Sequence, residues 1–448
     1  MNVDVNSIID RDRISSLQKL VLIFGFLLFF CDGLDTGIIG FVAPALLDSW
    51  GISKAELAPV FSAALIGMAI GSLTSGPISD RFGRKWVILG AVLIFSIFTI
   101  MCGFATSTQE LILYRFITGI GLGAAMPNIS TIVSEYMPLK RKAFFTGIAA
   151  CGFMLGISCG GLISAYFLES LGWAKVIIIG GIIPALLLLV LVFKLPESAQ
   201  YLIKSQRQDK VRSILEKIHA QPFDASVTFI NPKTPSSNES QPVKTVLGTY
   251  LWSTVLLWIC CFMSLMVFYL LTSWMPTILK TAGFNIKQFS LIAASFQLGG
   301  VIGGAVIGWY MDKINPTTVI KYCYLLAFIL FIVSGFVSEN ILLLGISITL
   351  LGSVLGGAQG SLLSLAALSY PSFCRGVGVA WMQGVGRTGA ILGAFFGALI
   401  FTFNLSMDTL FYILSIPTGI AFISLSIKVI YERNRGMNRT GFVGDFFI

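Results

Sequence analysis

Gly76-Pro77-Ile78-Ser79-Asp80-Arg81-Phe82-Gly83-Arg84-Lys85 closes one long apolar run and opens the next. A glycine and an aspartate at a helix end, followed by basic residues, make a compact charged turn whose pairings lock or release the helices on either side. A second stretch, Gly308-Trp309-Tyr310-Met311-Asp312-Lys313, ends a later apolar run. Each turn follows the second run in a set of six, which argues for parallel duplication of a six-helix unit. Gly76, Asp80, Arg81, Gly83, Arg84 and Asp312 are therefore the candidate residues of a gate on the cytoplasmic side.

The runs around these turns number twelve: 20–46, 57–79, 86–105, 108–134, 143–167, 173–193, 249–279, 288–311, 318–337, 340–366, 375–402 and 406–430. A helix of about 20 apolar residues spans a bilayer, so each run is a membrane-crossing candidate. Composition agrees, with 56% hydrophobic and 11% charged residues; a soluble domain carries about 25% charged. The expected fold is all-α and integral to the membrane, twelve transmembrane helices in two pseudo-symmetric halves. Residues 1–193 form the first half and 249–448 the second, joined by a polar cytoplasmic loop over 194–248. In that loop, apolar residues at helical spacing predict a short surface helix from Ser198 to His219, and the remainder of the loop, with its Pro-, Ser- and Asn-rich stretch from Asn231 to Gln241, reads as mobile.

The net charge of +9 is not a nucleic-acid signature, because its placement follows the membrane. With both termini inside, 24 Lys and Arg fall on the cytoplasmic side, Lys428 among them, against 4 outside, and Arg115 and Arg387 lie within helices. Positive charge accumulates on the cytoplasmic face, so this orientation is the one predicted. The first apolar run is long, carries two aspartates and lacks an Ala-x-Ala site, so it is expected to be retained rather than cleaved. The eight cysteines form no Cys-x-x-Cys pair, and the single histidine, His219, has no ligand cluster near it, so neither a disulfide framework nor a metal site is expected.

Small residues let helices in lipid approach closely. Glycines at such spacing occur at 67 and 71, at 152, 156 and 160, at 300, 304 and 308, and at 389, 393 and 397, marking faces that pack tightly and suit an interface between the halves.

Charged side chains inside a span cost about 2.5–3.5 kcal/mol on insertion scales and so mark function. Away from helix ends these are Asp32, Asp35, Arg115 and Arg387, with Glu135 nearer a cytoplasmic end. Asp32 and Asp35 stand three apart on one helix face, about 5–6 Å between Cβ atoms. Two carboxylates so close resist being ionised together, which suits proton uptake and release. Arg115 lies at a depth that fits pairing with an aspartate; a fixed structural ion pair is the alternative. Asp32, Asp35, Arg115 and Glu135 are the candidate proton-coupling residues. Arg387 has no acid at matching depth in its half, and its planar guanidinium suits a two-pronged grip on a carboxylate. Tyr269, Trp274, Gln297, Gln359, Trp381 and Gln383 are further candidates to line a substrate cavity, each also explicable as packing or membrane-interface residues.

The segment Gly76 to Lys85, with Arg115, Gly119, Gly121 and Gly123 in the fourth helix and Pro196-Glu197-Ser198 after the sixth, resembles the major facilitator superfamily. Within it, Asp32-Gly33-Leu34-Asp35 is similar to the Asp-Gly-x-Asp motif of the aromatic acid:proton symporters, carriers of the benzoate, 4-hydroxybenzoate and hydroxyphenylpropionate type. Trp50-Gly51, the run Ala58 to Gly67, Met126-Pro127-Asn128 and Ser134-Glu135-Tyr136 carry the same resemblance, which adds Asn128 to the candidate substrate contacts. The second copy of the turn departs from the pattern, with Ile314-Asn315 where Gly-Arg would stand.

The resemblance implies a carrier of the bacterial inner membrane, working as a monomer in the lipid bilayer and importing a small aromatic carboxylate together with protons. Its driving force is the proton gradient, with no cofactor. A proton-driven drug efflux antiporter of the same fold is the competing expectation. ATP-driven pumping is excluded by the lack of a Gly-x4-Gly-Lys-Ser/Thr loop, and the sequence offers no catalytic cluster for an enzyme.

Overall fold

The computed structural model describes residues 2–10, 14–219, 223, 227–230, 242–403 and 405–434. In chain order its elements are β1 (Asn2–Asp4), α1 (Val5–Ile9), α2 (Ser16–Trp50), α3 (Lys54–Phe82), α4 (Arg84–Cys102), α5 (Thr108–Tyr136), a 3-10 turn (Leu139–Arg141) and α6 (Lys142–Lys194). The loop contributes α7 (Ala199–Lys204), α8 (Gln208–His219), β2 (Thr228–Ile230) and α9 (Pro242–Leu247). Then follow α10 (Leu251–Thr281), α11 (Ile286–Met311), α12 (Pro316–Phe336), α13 (Ile341–Ser369), α14 (Ser372–Thr402) and α15 (Met407–Asn434).

Eleven helices among the described residues are long and apolar enough to cross a membrane. The expected fifth and sixth spans, 143–167 and 173–193, are both in α6, which runs 53 residues and is broken at Gly172, where φ is 76° and ψ 165°. Glycine reaches that backbone geometry without the Cβ clash other residues meet. Twelve crossings are thus present in eleven helices.

The chain separates into two compact units, one of Met1–Ser236 with Asn285–Leu291 and the other of Ser237–Phe284 with Ile292–Ile448. In the first, α2 packs on α6 and α3 on α5; in the second, α10 packs on α14 and α12 on α15. A Cβ on Gly33 would lie 1.8 Å from the carbonyl oxygen of Phe153, so only glycine admits this approach of α6 to α2. The glycine stripes expected between the halves make their close contacts within a half: Gly152 and Gly156 on α2, Gly67 and Gly71 on α5, Gly389 and Gly393 on α10. In α11, Gly299 and Gly303 lie against the backbone of α13 at Thr349 and Ser353, and Gly304 lies beside Gly357 of the same helix.

The predicted surface helix of the loop is two helices, α7 and α8, and α8 is docked rather than free. Its Val211, Leu215 and Ile218 are buried, and α8 packs on α1 and α2. Residues 2–4 add a parallel strand pairing to the loop, Asn2 opposite Thr228 and Asp4 opposite Ile230. Of the remainder of the loop, expected to be mobile, Thr228–Ile230 and Pro242–Leu247 form β2 and α9, and the stretch 231–241 lies outside the described residues. Lys428, assigned above to the cytoplasmic loops, is buried in α15, with Nζ 2.5 Å from Glu432 Oε1.

Candidate functional site

The first unit holds two polar clusters. The deeper one is built by α2, α4 and α5. Arg115 Nη1 donates to Asp35 Oδ2 at 2.8 Å, and Thr99 Oγ1 donates to Asp35 Oδ1 at 2.6 Å. Asp32, Asp35, Thr99 and Arg115 are all buried. Asp32 precedes Asp35 by one turn, and the Gly33 contact with Phe153 holds that turn against α6. Both oxygens of Asp35 thus accept hydrogen bonds, one from α5 and one from α4. The aspartate–arginine pairing follows from sequence position; Thr99 does not, because a lone threonine in an apolar run carries no periodic or charge signal.

The second cluster lies where α3, α4 and α5 meet the segment after α6. Arg84 N, Lys85 N and Ser198 N all donate to Glu197 Oε1, at 2.9, 3.0 and 2.8 Å. Glu197 thereby caps the N-terminus of α4, where the orphan N–H groups and the helix dipole favour an anion. Arg84 forms an ion pair with Glu135, and Ser198 Oγ donates to Glu135 Oε2 at 2.5 Å. Tyr136 OH donates to the Glu197 carbonyl at 2.7 Å and Tyr201 OH to the Arg81 carbonyl at 3.1 Å. Gly83 has φ 96°, and a Cβ there would stand 2.4 Å from Glu197 Oε2, so the turn needs glycine both for its backbone and for the carboxylate.

Glu135, expected among the proton-coupling residues, meets the turn between α3 and α4 through Arg84, twenty residues along α5 from Arg115, about 30 Å at 1.5 Å per residue. Of the other gate candidates, Gly76, Asp80 and Arg81 are exposed, and the Asp80 carboxylate makes no hydrogen bond or ion pair among the described residues. Asp312 in the second unit is likewise exposed. Beside it Lys313 Nζ stands 3.5 Å from the ring centre of Trp309, so the second turn carries a cation–π contact where the first carries an ion-paired knot. Glu197, Ser198 and Tyr201 complete that knot.

The candidate substrate contacts divide. Trp274 is completely buried and its Nε1 donates to the Ala394 carbonyl at 2.7 Å, packing α10 against α14. Asn128 is buried and donates within its own helix, to the Ala124 carbonyl. Gln297 is buried and donates to Thr272 Oγ1 at 3.1 Å. Gln359 is half-buried, and its Oε1 accepts from Ser264 Oγ at 2.5 Å, while Tyr324 OH donates to that same Ser264 oxygen at 2.7 Å. This directed chain leaves the Gln359 amide NH2 as the free end, a donor held in place. Trp381 is exposed and stacks on Trp258 at 5.7 Å with planes 9° apart. Tyr269, Gln383 and Arg387 are half-buried. The Arg387 guanidinium makes no hydrogen bond or ion pair among the described residues.

Comparison with known proteins places this geometry in context. The sequence profile described as Major Facilitator Superfamily matches residues 25–394 and 287–444. The chain is 42% identical to the 4-hydroxybenzoate transporter PcaK of Pseudomonas putida over 429 residues, covering 95% of this chain and 96% of that one. It is 38% identical to the gallate transporter of Pseudomonas putida, with 94% of each chain covered. It is 30% identical to the 3-(3-hydroxy-phenyl)propionate transporter of Escherichia coli, with 86% and 87% covered. Among solved structures, a D-xylose-proton symporter superposes with a TM-score of 0.67 at 18% identity, over 91% of this chain and 96% of that one, a likeness of fold. The relatives are transporters, not enzymes.

Proposed function

The chain belongs to the major facilitator superfamily, a secondary transporter built of membrane-spanning helices, and on that premise we propose that it imports a small aromatic carboxylate by proton symport across the bacterial inner membrane, as a monomer with both termini in the cytoplasm. The observation that carries the reading is the buried Asp35, held by Arg115 and Thr99 one turn from Asp32. A carboxylate in that setting has two discrete states, ion-paired or protonated with the arginine released, and exchange between them is the elementary act of proton coupling. Arg387, a cation within a span and without an acidic partner among the described residues, supplies the charge that holds the substrate carboxylate. The aromatic class rests on the relatives' names, which read 4-hydroxybenzoate, gallate and 3-(3-hydroxy-phenyl)propionate. Binding on one side and release on the other follow from alternating access, with the Arg84–Glu135–Glu197 knot as the cytoplasmic latch of the first half. No cofactor takes part.

The test is uptake of labelled 4-hydroxybenzoate into proteoliposomes with and without an inward proton gradient. Accumulation above equilibrium only with the gradient is expected. Outward movement driven by an inward proton gradient would overturn symport in favour of antiport.

A further inference from the structure

The first unit carries a cavity that neither proton coupling nor substrate binding uses. It has a volume of about 310 Å³ and lies between the start of α4, the end of α6 and the loop helix α8. Its floor is apolar, from Leu195, Leu202 and Ile214, and its walls bring together Lys85, Arg207 and Lys210. The single lining carboxylate, Glu197, is already engaged, since its Oε1 receives three backbone N–H groups. Lys85 Nζ donates to the Val192 carbonyl at 2.9 Å, while the Arg207 and Lys210 side chains have no hydrogen-bond or ion-pair partner among the described residues. Three like charges facing one small space repel one another unless an anion joins them.

The depth of the cavity identifies the anion. Trp86 lines it and is 64% exposed, and Phe193, two residues before Leu195, is 82% exposed. Exposed aromatic residues at the end of a span sit at the membrane–water boundary. An apolar floor beneath a cationic rim at that level matches a molecule with an anionic head and a hydrocarbon tail. We propose that this cavity binds the phosphate headgroup of an anionic phospholipid of the cytoplasmic leaflet, Lys210 meeting the phosphate from α8, Arg207 from the residue that precedes α8 and Lys85 from α4. Bound there, the lipid bridges α8 to α4 beside Glu197 and so holds the loop helices against the latch. Each basic contact to an anionic membrane surface strengthens binding by roughly fivefold, so two amount to about thirtyfold.

The experiment uses the full chain in neutral detergent, followed by thermal unfolding while phosphatidylglycerol, phosphatidylcholine, glycerol phosphate or inorganic phosphate is titrated in. Wild type is expected to show a saturable rise in Tm with phosphatidylglycerol and none with phosphatidylcholine. Arg207→Gln with Lys210→Gln should weaken the half-saturating lipid concentration about thirtyfold. A control with the same loss of charge, Lys204→Gln with Lys217→Gln, alters exposed cations outside the cavity and should respond as wild type does. An unchanged response in the Arg207/Lys210 variant overturns the site, as does an equal loss in the control, which would mean general surface attraction. A saturable rise of the same size with inorganic phosphate or glycerol phosphate alone would overturn the lipid assignment.

Discussion

Asp35 shows what a single buried carboxylate requires. Its two oxygens meet Arg115 at 2.8 Å and Thr99 at 2.6 Å, and removing one partner of a buried ion pair costs about 3–5 kcal/mol. Asp35→Asn is therefore expected to abolish gradient-driven accumulation, with uncoupled exchange of substrate surviving at reduced rate. Accumulation equal to wild type would sink the assignment. Thr99 permits a finer test, because Thr99→Val keeps the shape and removes one hydrogen bond to a charged group, worth about 1.5–3 kcal/mol. We expect Thr99→Val to lower the accumulation ratio severalfold with substrate half-saturation unchanged, and Thr99→Ser to restore it; a valine variant that accumulates normally shows the hydroxyl to be dispensable. Arg387 is tested by its geometry. Arg387→Lys keeps the charge and loses the planar fork, so half-saturation for the acid should rise about tenfold or more, with a larger rise in Arg387→Ala. Weak binding of the uncharged amide analogue should change in neither variant, and an Arg387→Ala protein with normal half-saturation would transfer attention to Arg115.

Between elements, the decisive contacts are those of the turn from α3 to α4. Gly83 sits at φ 96° with Glu197 Oε2 where a Cβ would go, so Gly83→Ala adds backbone strain of about 1–2 kcal/mol and displaces the anion that caps α4. Glu197→Gln keeps the shape and removes the charge, worth about 0.3–1 kcal/mol at a helix N-terminus and up to about 2 where partly buried. Both substitutions should slow the transport cycle while sparing substrate half-saturation, the alanine more than the glutamine. Weakened binding at a normal rate would contradict the latch. The turn itself is legible in the sequence because glycine and charge at a helix end are local signals. Its partners are not: Glu135 and Glu197 lie 51 and 113 residues from Arg84, and sequence shows only that a charge is near a helix end, not what it meets. The glycine stripes illustrate the same limit, since spacing reveals a face for close packing without saying which helix fills it.

For the whole molecule, orientation is the property to test. The 24 to 4 division of Lys and Arg predicts that the loop lies inside, and the break at Gly172 would then face outward. Cysteine at Ser170 should react with a membrane-impermeant maleimide in cells whose outer membrane is permeabilised and inner membrane intact; cysteine at Gln206 should react only after the inner membrane is opened. Both positions are exposed, whereas the native cysteines are buried or half-buried. The opposite labelling pattern would invert the topology. The docking of α1 and β1 onto the loop is a feature of this scale too: the first residues look like an unremarkable basic leader, yet Val5, Ile8 and Ile9 are buried.

What the sequence determines by itself is whatever the bilayer imposes locally. Without water to satisfy the backbone, each apolar run has to become a helix, its length is set by the membrane thickness, and any charge left inside is exposed to view by its rarity. That is why the twelve crossings, the duplicated turn and the Asp32, Asp35, Arg115 and Arg387 set can be read from residues alone. Tertiary structure decides which of these groups meet. It joins Asp35 to Thr99 across 64 positions and Arg84 to Glu135 across 51, buries Trp274 completely against α14, and places Lys428 inside α15. Such pairings depend on the rotation and height of helices packed through small residues, and in a uniformly apolar medium hydropathy says nothing about either.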